Sequence, residues 1–338
     1  MKRSRRTIRI PDGHPGLFDA VEGADASGVG GEIVAAAVGR IRAAARDADD
    51  DTLVMPASAA SRSERLMFVS FGSGSSGNCA YIGTRTAGVL IDAGVDAHTV
   101  LERLRANGID FERNVRGIIL THDHGDHVRA AYTLLRRRSD KCLWATPKAL
   151  SGILRRHNIS RRIKDYHRAI YKEHEFSAGP LAITPFDTSH DGTDNVGFSI
   201  RHGAEVFVVA TDMGYATERA MHYMASATAL MIESNYDARM LATGRYPQYL
   251  QARIRGAQGH MDNTDTAARL TELWKPSMHH VFLCHLSHDN NTPELALASA
   301  CTGLQAAGAR VGFSASDRDA TVLLSALPRF EASPLYIF

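Results

Sequence analysis

No two of the four cysteines, Cys79, Cys142, Cys284 and Cys301, form a CxxC pair, and their spacing is open. That pattern excludes a dense disulfide framework and suits reduced thiols in a cytoplasm, where the chain is expected to work. No apolar run approaches the roughly 18 residues that a membrane span needs, so no membrane partner is expected. The basic start MKRSRRTIRIPDG has no apolar stretch behind it and does not read as a secretory signal. No dinucleotide glycine fingerprint follows any strand-like run. An excess of one charge is lacking too. Lys and Arg number 39 against 37 Asp and Glu, a net charge of +2, so any charge signal must be local. With 44% hydrophobic residues the chain is too apolar for disorder throughout. Histidine alone is plentiful, with 16 residues.

A chain of 338 residues allows two or three small domains, or one large domain with an appendage. Residues 1–65 are rich in Ala, Gly, Asp and Arg and nearly free of aromatics. A loose apolar stripe suggests an Ala-rich helix over 31–46, ended by the acidic run Asp47–Asp51 and followed by the linker-like PASAASRSER. This segment is expected to be a flexible N-terminal extension, its basic residues solvated. Residues 66–338 are expected to form the folded domain. MFVSF, CAYIG, GVLIDAG, VRGIILT, CLWAT, LAITPF, NVGFSI, EVFVVAT, ALMIE and HHVFLC read as strands. Helices are expected at Ala97–Asn107, Val128–Arg138, Pro147–His157, Thr264–Trp274 and Pro293–Ala307. Strands in groups with helices between them indicate an α/β (α+β) chain with helix-covered sheets rather than a doubly wound fold.

The informative segment is Ile118-Ile-Leu-Thr-His-Asp-His-Gly-Asp-His127. An apolar strand delivers a turn carrying His122, His124, Asp126 and His127. Imidazole and carboxylate are the donors that hold a borderline divalent metal. Donors one residue apart at a strand end can converge on one ion, and the two beyond the tight glycine can face a second. Isolated His and Asp in loops are usually solvated, but three His and two Asp within six residues after a buried strand form a mechanistic pattern.

This segment matches in full the HxHxDH signature of the metallo-β-lactamase superfamily, which the sequence resembles from about Phe68 to Ala307. The resemblance implies an αββα four-layer sandwich with two divalent metals at one edge, between two sheets. It also implies the remaining motif residues, each at the end of an expected strand. Asp92 in LIDAG would brace the metal loop; His190 in DTSHD, Asp212 in VVATDMG and His285 in VFLCHLS would complete the set. His122, His124 and His190 would then hold one metal, and Asp126, His127 and His285 the other. Asp212 would bridge the two. Zinc is the expected metal, with manganese or iron also suited to these donors.

Fold alone does not give substrate. No Cys stands at a ligand position, which argues against a typical β-lactamase. Residues 129–172 hold 13 Lys or Arg against only Asp140 and Asp165. Such a run can attract phosphates or be a solvated face. The phrases GHMDNTD (259–265), HLSHDNNTPELAL (285–297) and FVSFGSGSSGN resemble the YycJ/WalJ-type metallohydrolases, DNA-processing exonucleases of bacteria. By that resemblance Met67 lies near the usual first residue, and what precedes it is an extension or a misplaced start. The 73 positions from Asp212 to His285 are too few for the β-CASP insertion, and the 21 residues between His190 and Asp212 leave no room for a long tRNA-gripping arm.

The expected activity is therefore two-metal hydrolysis of phosphodiesters in nucleic acid, DNA first, in an exonuclease-like manner. The alternatives are hydrolysis of a thioester, lactone or small phosphodiester, and a non-catalytic nucleic-acid-binding module. Asp126, His260 and Glu233 are the catalytic candidates. His260 lies outside the seven metal-ligand positions, falls where tRNA 3′-processing ribonucleases keep a substrate-facing His, and would protonate the departing sugar oxygen. Glu233 would orient it. Ser73, Ser75 and Asn78 of the Gly/Ser loop, with Arg136, Arg137, Arg138, Arg155 and Arg156, are the substrate candidates.

Overall fold

The computed structural model describes residues 53–54 and 65–338; the helix expected over 31–46 lies outside them. The first half of the chain runs Leu53–Val54 (β1), Met67–Gly72 (β2), Cys79–Gly83 (β3), Gly88–Ile91 (β4), Ala97–Ala106 (α1), Phe111–Asn114 (α2), Val115–Ile119 (β5), Gly125–Val128 (α3), Ala131–Leu135 (α4), Cys142–Ala145 (β6), Pro147–Arg156 (α5) and His167–Ala169 (β7). The second half runs Phe176–Ala178 (β8), Leu181–Asp187 (β9), Val196–His202 (β10), Glu205–Ala210 (β11), Glu218–Met224 (α6), Ala229–Glu233 (β12), Ala238–Thr243 (α7), Gln248–Arg255 (α8), Asn263–Leu273 (α9), His280–Cys284 (β13), Pro293–Ala306 (α10), Val311–Gly312 (β14), Val322–Ala326 (β15) and Tyr336–Ile337 (β16).

Two sheets result, ordered β1-β16-β2-β3-β4-β5-β6-β7 and β14-β15-β13-β12-β11-β10-β9-β8. Antiparallel hairpins open each half, and parallel strands joined by helices follow. β4, β5, β6 and β7 run parallel in one sheet; β11, β12, β13 and β15 do so in the other. β1 and β16 close one edge of the first sheet: Leu53 and Val54 pair with Tyr336 and Ile337, and β16 pairs with β2.

Alternation along the strands builds the layers. Met67, Val69 and Phe71 of β2 face the helices Ala97–Ala106, Ala131–Leu135 and Pro147–Arg156 through Val100, Leu104, Leu134 and Ile153. Phe68, between them, faces the other sheet, 4.7 Å from Phe207 and 4.9 Å from Phe282 between ring centres. On β13, Val281 and Leu283 meet Leu270, Leu273 and Leu304 of α9 and α10, whereas Phe282 and Cys284 join the core between the sheets. Helix, sheet, sheet, helix is the αββα order expected. Each buried Phe contributes roughly 1.5–3 kcal/mol relative to exposure, so the inter-sheet layer is a major part of what holds the sheets together. Caps set the helix starts: Asp96 for α1, Thr146 with Pro147 for α5, Asp262 for α9 and Thr292 with Pro293 for α10.

The helix expected over Val128–Arg138 is broken into α3 and α4. The Ala130 amide donates to the Ala93 carbonyl at 2.8 Å, so the backbone there docks onto the loop after β4 instead of continuing one helix. The helices α6, α7 and α8 were not legible in the sequence. Residues of α8 are all exposed or half-buried, which leaves it without the apolar stripe that marks a helix.

Candidate metal centre

The centre lies at the carboxyl ends of β4, β5, β11, β12 and β13, with the loop after β9. Asp92, Asp212 and His285 each follow a strand with positive φ, 58°, 54° and 54°. Left-handed backbone is sparsely populated for residues other than glycine and is held where surrounding structure imposes it. Here the turn swings a donor out of the strand line toward one point. The loop after β4 also passes so close to the metal motif that a Cβ on Gly94 would lie 1.5 Å from the Asp126 carbonyl oxygen. That explains the glycine of LIDAG.

Two clusters of donors converge. His124 Nδ1 lies 3.1 Å from His122 Nε2 and 3.3 Å from His190 Nε2. Beside them, His285 Nε2 lies 3.5 Å from Asp126 Oδ2 and 3.4 Å from Asp212 Oδ1, while His127 Nε2 lies 3.6 Å from Asp126 Oδ2. Asp212 stands between the clusters, its Oδ1 3.8 Å from His190 Nε2 and its Oδ2 3.5 Å from His127 Nε2. Burial resists charge on Asp212, but His285, His127, His122 and His190 outweigh it and hold the carboxyl well below the usual range. Asp126 is likewise pulled down to about 2, against the effect of its own burial, by His127 and His285.

A surrounding layer orients these donors. Asp92 Oδ2 lies 2.7 Å from His127 Nδ1, and its Oδ1 accepts from the Thr121 amide at 2.8 Å. The Gly259 carbonyl lies 2.9 Å from His190 Nδ1, and Asn235 Nδ2 lies 2.9 Å from His285 Nδ1. Asp123, inside the signature but pointing away, accepts from the Thr193 amide at 2.8 Å and hydroxyl at 2.6 Å and so ties the signature turn to the His190 loop.

His260 Nδ1 lies 2.6 Å from Glu233 Oε1, and Glu233 Oε2 accepts from the amides of Met213 at 2.8 Å and Met261 at 3.2 Å. Burial disfavours a charged His260, but the Glu233 carboxylate wins and raises it above its ordinary value. The open side of the centre is a cleft of about 360 Å³ roofed by α8. His124, Asp126, His190, Asp212, His260 and His285 line it, with Arg253 and Ser75.

The substrate candidates divide. Ser75 lines the cleft. Ser73 is buried, and its hydroxyl accepts from the His285 amide at 2.9 Å, so it braces the loop instead of facing solvent. Asn78 is buried and its Nδ2 lies 3.2 Å from Asp126 Oδ2, with Oδ1 accepting from Gly74. Arg136, Arg137, Arg138, Arg155 and Arg156 do not line the cleft. Arg137 pairs with Glu112 at 2.9 Å, Arg138 with Asp140 at 3.2 Å, and Arg156 reaches buried Asp123 at 3.5 Å. Two charged residues that were not expected also reach the cleft. Asp191 Oδ1 lies 3.2 Å from His124 Nε2, and its Oδ2 pairs with Arg253 at 2.6 Å. Asp191 follows His190 directly and was within reach of a sequence reading; nothing in the sequence links Arg253 to the site.

The donor set fits a metal pair. His285 Nε2 is buried with no hydrogen-bond partner, while aimed among two carboxylates. An unpartnered buried ring nitrogen costs about 1–3 kcal/mol, and a cation held at that point would give it a partner. At the His122–His124–His190 corner one imidazole nitrogen lies within hydrogen-bond distance of two others, and makes the same demand.

Two face-to-face sheets carrying this cluster at one edge define a metal-dependent hydrolase of the metallo-β-lactamase fold. The family model described as Beta-lactamase superfamily domain matches residues 88–285, more than half of the chain, and the chain belongs to that superfamily. Exodeoxyribonuclease YycJ of Bacillus anthracis is 30% identical over 257 residues, covering 75% of this chain and 96% of that one. Exodeoxyribonuclease WalJ of Streptococcus pneumoniae is 28% identical over 240 residues, covering 71% and 88%. Zinc-bound PqqB from Methylobacterium extorquens shares the fold with a TM-score of 0.56 at 16% identity, covering 79% of this chain and 99% of that one. Among the described residues no helix is long and apolar enough to cross a membrane.

Proposed function

We propose that this hydrolase cleaves phosphodiester bonds in nucleic acid, with DNA as the substrate and exonucleolytic release as the mode, in a cytoplasm. The observation that carries the reading is the His260–Glu233 pair beside a full set of metal donors. An ester with an acidic leaving group departs unaided, whereas the sugar alkoxide of a phosphodiester needs a proton. The names of the YycJ and WalJ relatives, matched over most of their lengths, support the same substrate.

His122, His124 and His190 would hold one ion, Asp126, His127 and His285 the other, and Asp212 would bridge them. Imidazole and carboxylate donors suit zinc first, with manganese or iron also served. When bound, a divalent pair supplies Lewis-acid charge against the phosphate and lowers the pKa of a water to about 7. The chain's own residues supply the rest. Asp92 and the Gly259 carbonyl keep the His127 and His190 rings in place. Glu233 fixes the His260 ring by Nδ1 and leaves Nε2 as the proton-bearing atom toward the cleft's contents. Ser75 and Arg253 stand at the cleft wall, where a phosphate oxygen would meet them.

The test is an assay of metal-loaded protein on end-labelled single- and double-stranded DNA, RNA, bis-p-nitrophenyl phosphate and a thioester and lactone panel. Metal-dependent release of nucleotides from DNA ends is the expected result. Hydrolysis of a thioester or lactone with no cleavage of any polynucleotide would overturn the reading.

A further inference from the structure

A second cavity, of about 530 Å³, lies on the far side of the Gly72–Asn78 loop from the metal cleft. Ser75 lines the cleft, whereas Ser76 and Gly77 line this pocket, so one loop walls both. Three guanidinium groups face the pocket: Arg103, Arg129 and Arg329. Each is anchored by backbone carbonyls rather than by a carboxylate. Arg103 donates to the carbonyls of Phe71 and Phe330. Arg129 donates to Ser76 and, at 2.6 Å, to Gly94. Arg329 donates to Leu286 at 2.8 Å and to Ser287. Among the described residues none of the three stands within ion-pair distance of a carboxylate. The carboxylate of the pocket, Asp96, is turned to the amides of His98 and Thr99 as a helix cap.

Carbonyls fix the three side chains without neutralising them, and each guanidinium keeps an unused nitrogen: Nε of Arg103, and Nη1 of Arg129 and Arg329. Three positive charges held around one cavity without a direct ion pair form a pre-arranged anion site. Phe330, at its rim, is 60% exposed and offers a stacking face for a base. The anchors also tie the pocket to the metal centre. Arg129 follows the helix bearing Asp126 and His127, and Arg329 grips the carbonyls that come directly after His285.

We infer that this pocket binds the phosphate backbone of the nucleic-acid strand beyond the bond being cleaved, with Phe330 stacking on a neighbouring base. The inference rests on the nucleic-acid reading of the metal cleft. It gives the enzyme a preference for a strand long enough to span both sites.

The test compares KM for a dinucleotide with KM for a single-stranded DNA oligonucleotide, using metal-loaded protein at roughly 50 to 200 mM salt. Two double variants are measured beside the wild type, R103Q/R129Q and R103K/R129K, with metal content and melting temperature checked for each. In the wild type the ratio of the two KM values is large. In the glutamine pair it should fall by about ten-fold, and the salt slope for the oligonucleotide should flatten by about 0.7 per lost phosphate contact. The lysine pair, which keeps the charge but not the carbonyl anchors, should keep most of the ratio. An unchanged ratio in the glutamine pair overturns the inference alone. Equal losses in both pairs overturn it too, because the arginines would then only brace the loop. Stabilisation by inorganic phosphate that the glutamine pair loses with its ratio unchanged would mark a free-phosphate site, again against it. A wild type that cleaves no polynucleotide overturns the nucleic-acid reading itself, and this inference with it.

Discussion

Glu233, fully buried at the end of β12, grips His260 by a 2.6 Å contact from Oε1 to Nδ1, while two backbone amides occupy its other oxygen. The carboxylate is therefore fully engaged in positioning, and His260 reaches the cleft as a directed ring outside the proposed ligand set. Its replacement separates chemistry from metal binding. His260→Ala should keep both ions and the melting temperature, while kcat on DNA falls by about 10²- to 10⁴-fold. The loss should shrink on a p-nitrophenyl ester, whose leaving group needs no proton. Metal analysis with parallel kinetics checks this. Lost metal would make His260 a ligand, and full activity on DNA would remove its role.

Asp92 holds the His127 ring by the 2.7 Å contact to Nδ1 and the signature turn through the Thr121 amide, and through that ring it would act on a bound metal pair. Asp92→Asn removes the charge that orients the ring. Metal affinity should drop by roughly 10- to 100-fold, read by competition with a chromogenic chelator. Affinity equal to the wild type would show that the turn is held without Asp92.

Stripping the ions should destabilise the fold as well as silence it. Donors gathered at β5, β11 and β13 repel or strand one another when no cation takes their lone pairs. At a metal concentration about 1,000 times Kd, the bound state gains about 4 kcal/mol. Chelation should therefore lower the melting temperature by several degrees or more, and added zinc should restore it, with two ions per chain by elemental analysis. A melting temperature indifferent to chelator would contradict a metal-holding centre.

His280 lies far along β13 from the centre, buried among Phe282, Tyr336 and Phe338, with Nε2 unpartnered. Burial, and then the neighbouring His279 that itself pairs with Glu205, push it down to about 3. An unfolded histidine titrates near 6.5. Between those values the unfolded chain binds the extra proton, so stability rises with pH across the window and falls as pH is lowered. The slope reaches about 1.4 kcal/mol per pH unit. Urea unfolding of the wild type and His280→Leu across that window should show a shallower slope in the variant. Equal slopes would place the titration elsewhere.

The extension expected over residues 1–65 leads to a truncation test. Leu66 and Arg65 are bound to the last residue: the Phe338 amide donates to the Leu66 carbonyl at 2.9 Å, and Arg65 Nε donates to the Phe338 carbonyl at 3.1 Å. A chain beginning at Arg65 keeps these ties, whereas one beginning at Met67 loses them. The longer one should bind metal like the full chain and melt within a few degrees of it. The Met67 start should melt lower. The Arg65 start gives up the β1–β16 pairing, and a full loss of metal from it would mean that the site depends on residues upstream.

Much of the frame was legible because it rests on local pattern. Buried strands announce themselves as short β-branched and aromatic runs, and Pro147, Pro293 and the N-capping Thr146 and Thr292 mark helix starts. The ordered set of His and Asp at strand ends carried the superfamily resemblance. What was misread depended on neighbours far along the chain. The helix expected through Val128–Arg138 breaks because Ala130 bonds Ala93. The short Gly/Ser loop offered Ser73, Ser75 and Asn78 as equals, yet only Ser75 lines the cleft, since Ser73 and Asn78 are spent on His285 and Asp126.

Residue identity and order by themselves determined the chemistry at stake: imidazole and carboxylate donors, an extra His and Glu, and strands enough for two sheets. Only the tertiary structure decided which charges face the site. Charge counting favoured the basic run 129–172, but Arg137, Arg138 and Arg156 of that run turn to carboxylates of their own, and Arg129 lines the second pocket instead of the cleft. Arg253 reaches the cleft from a helix with no sequence signature, and Arg329 joins Arg103 and Arg129 from 226 and 200 positions further along the chain. Covalent spacing fixes a donor's distance only along one strand or turn. A charge is kept most fully for a ligand when packing denies it a carboxylate, and that is settled by which distant segments the sheets bring side by side.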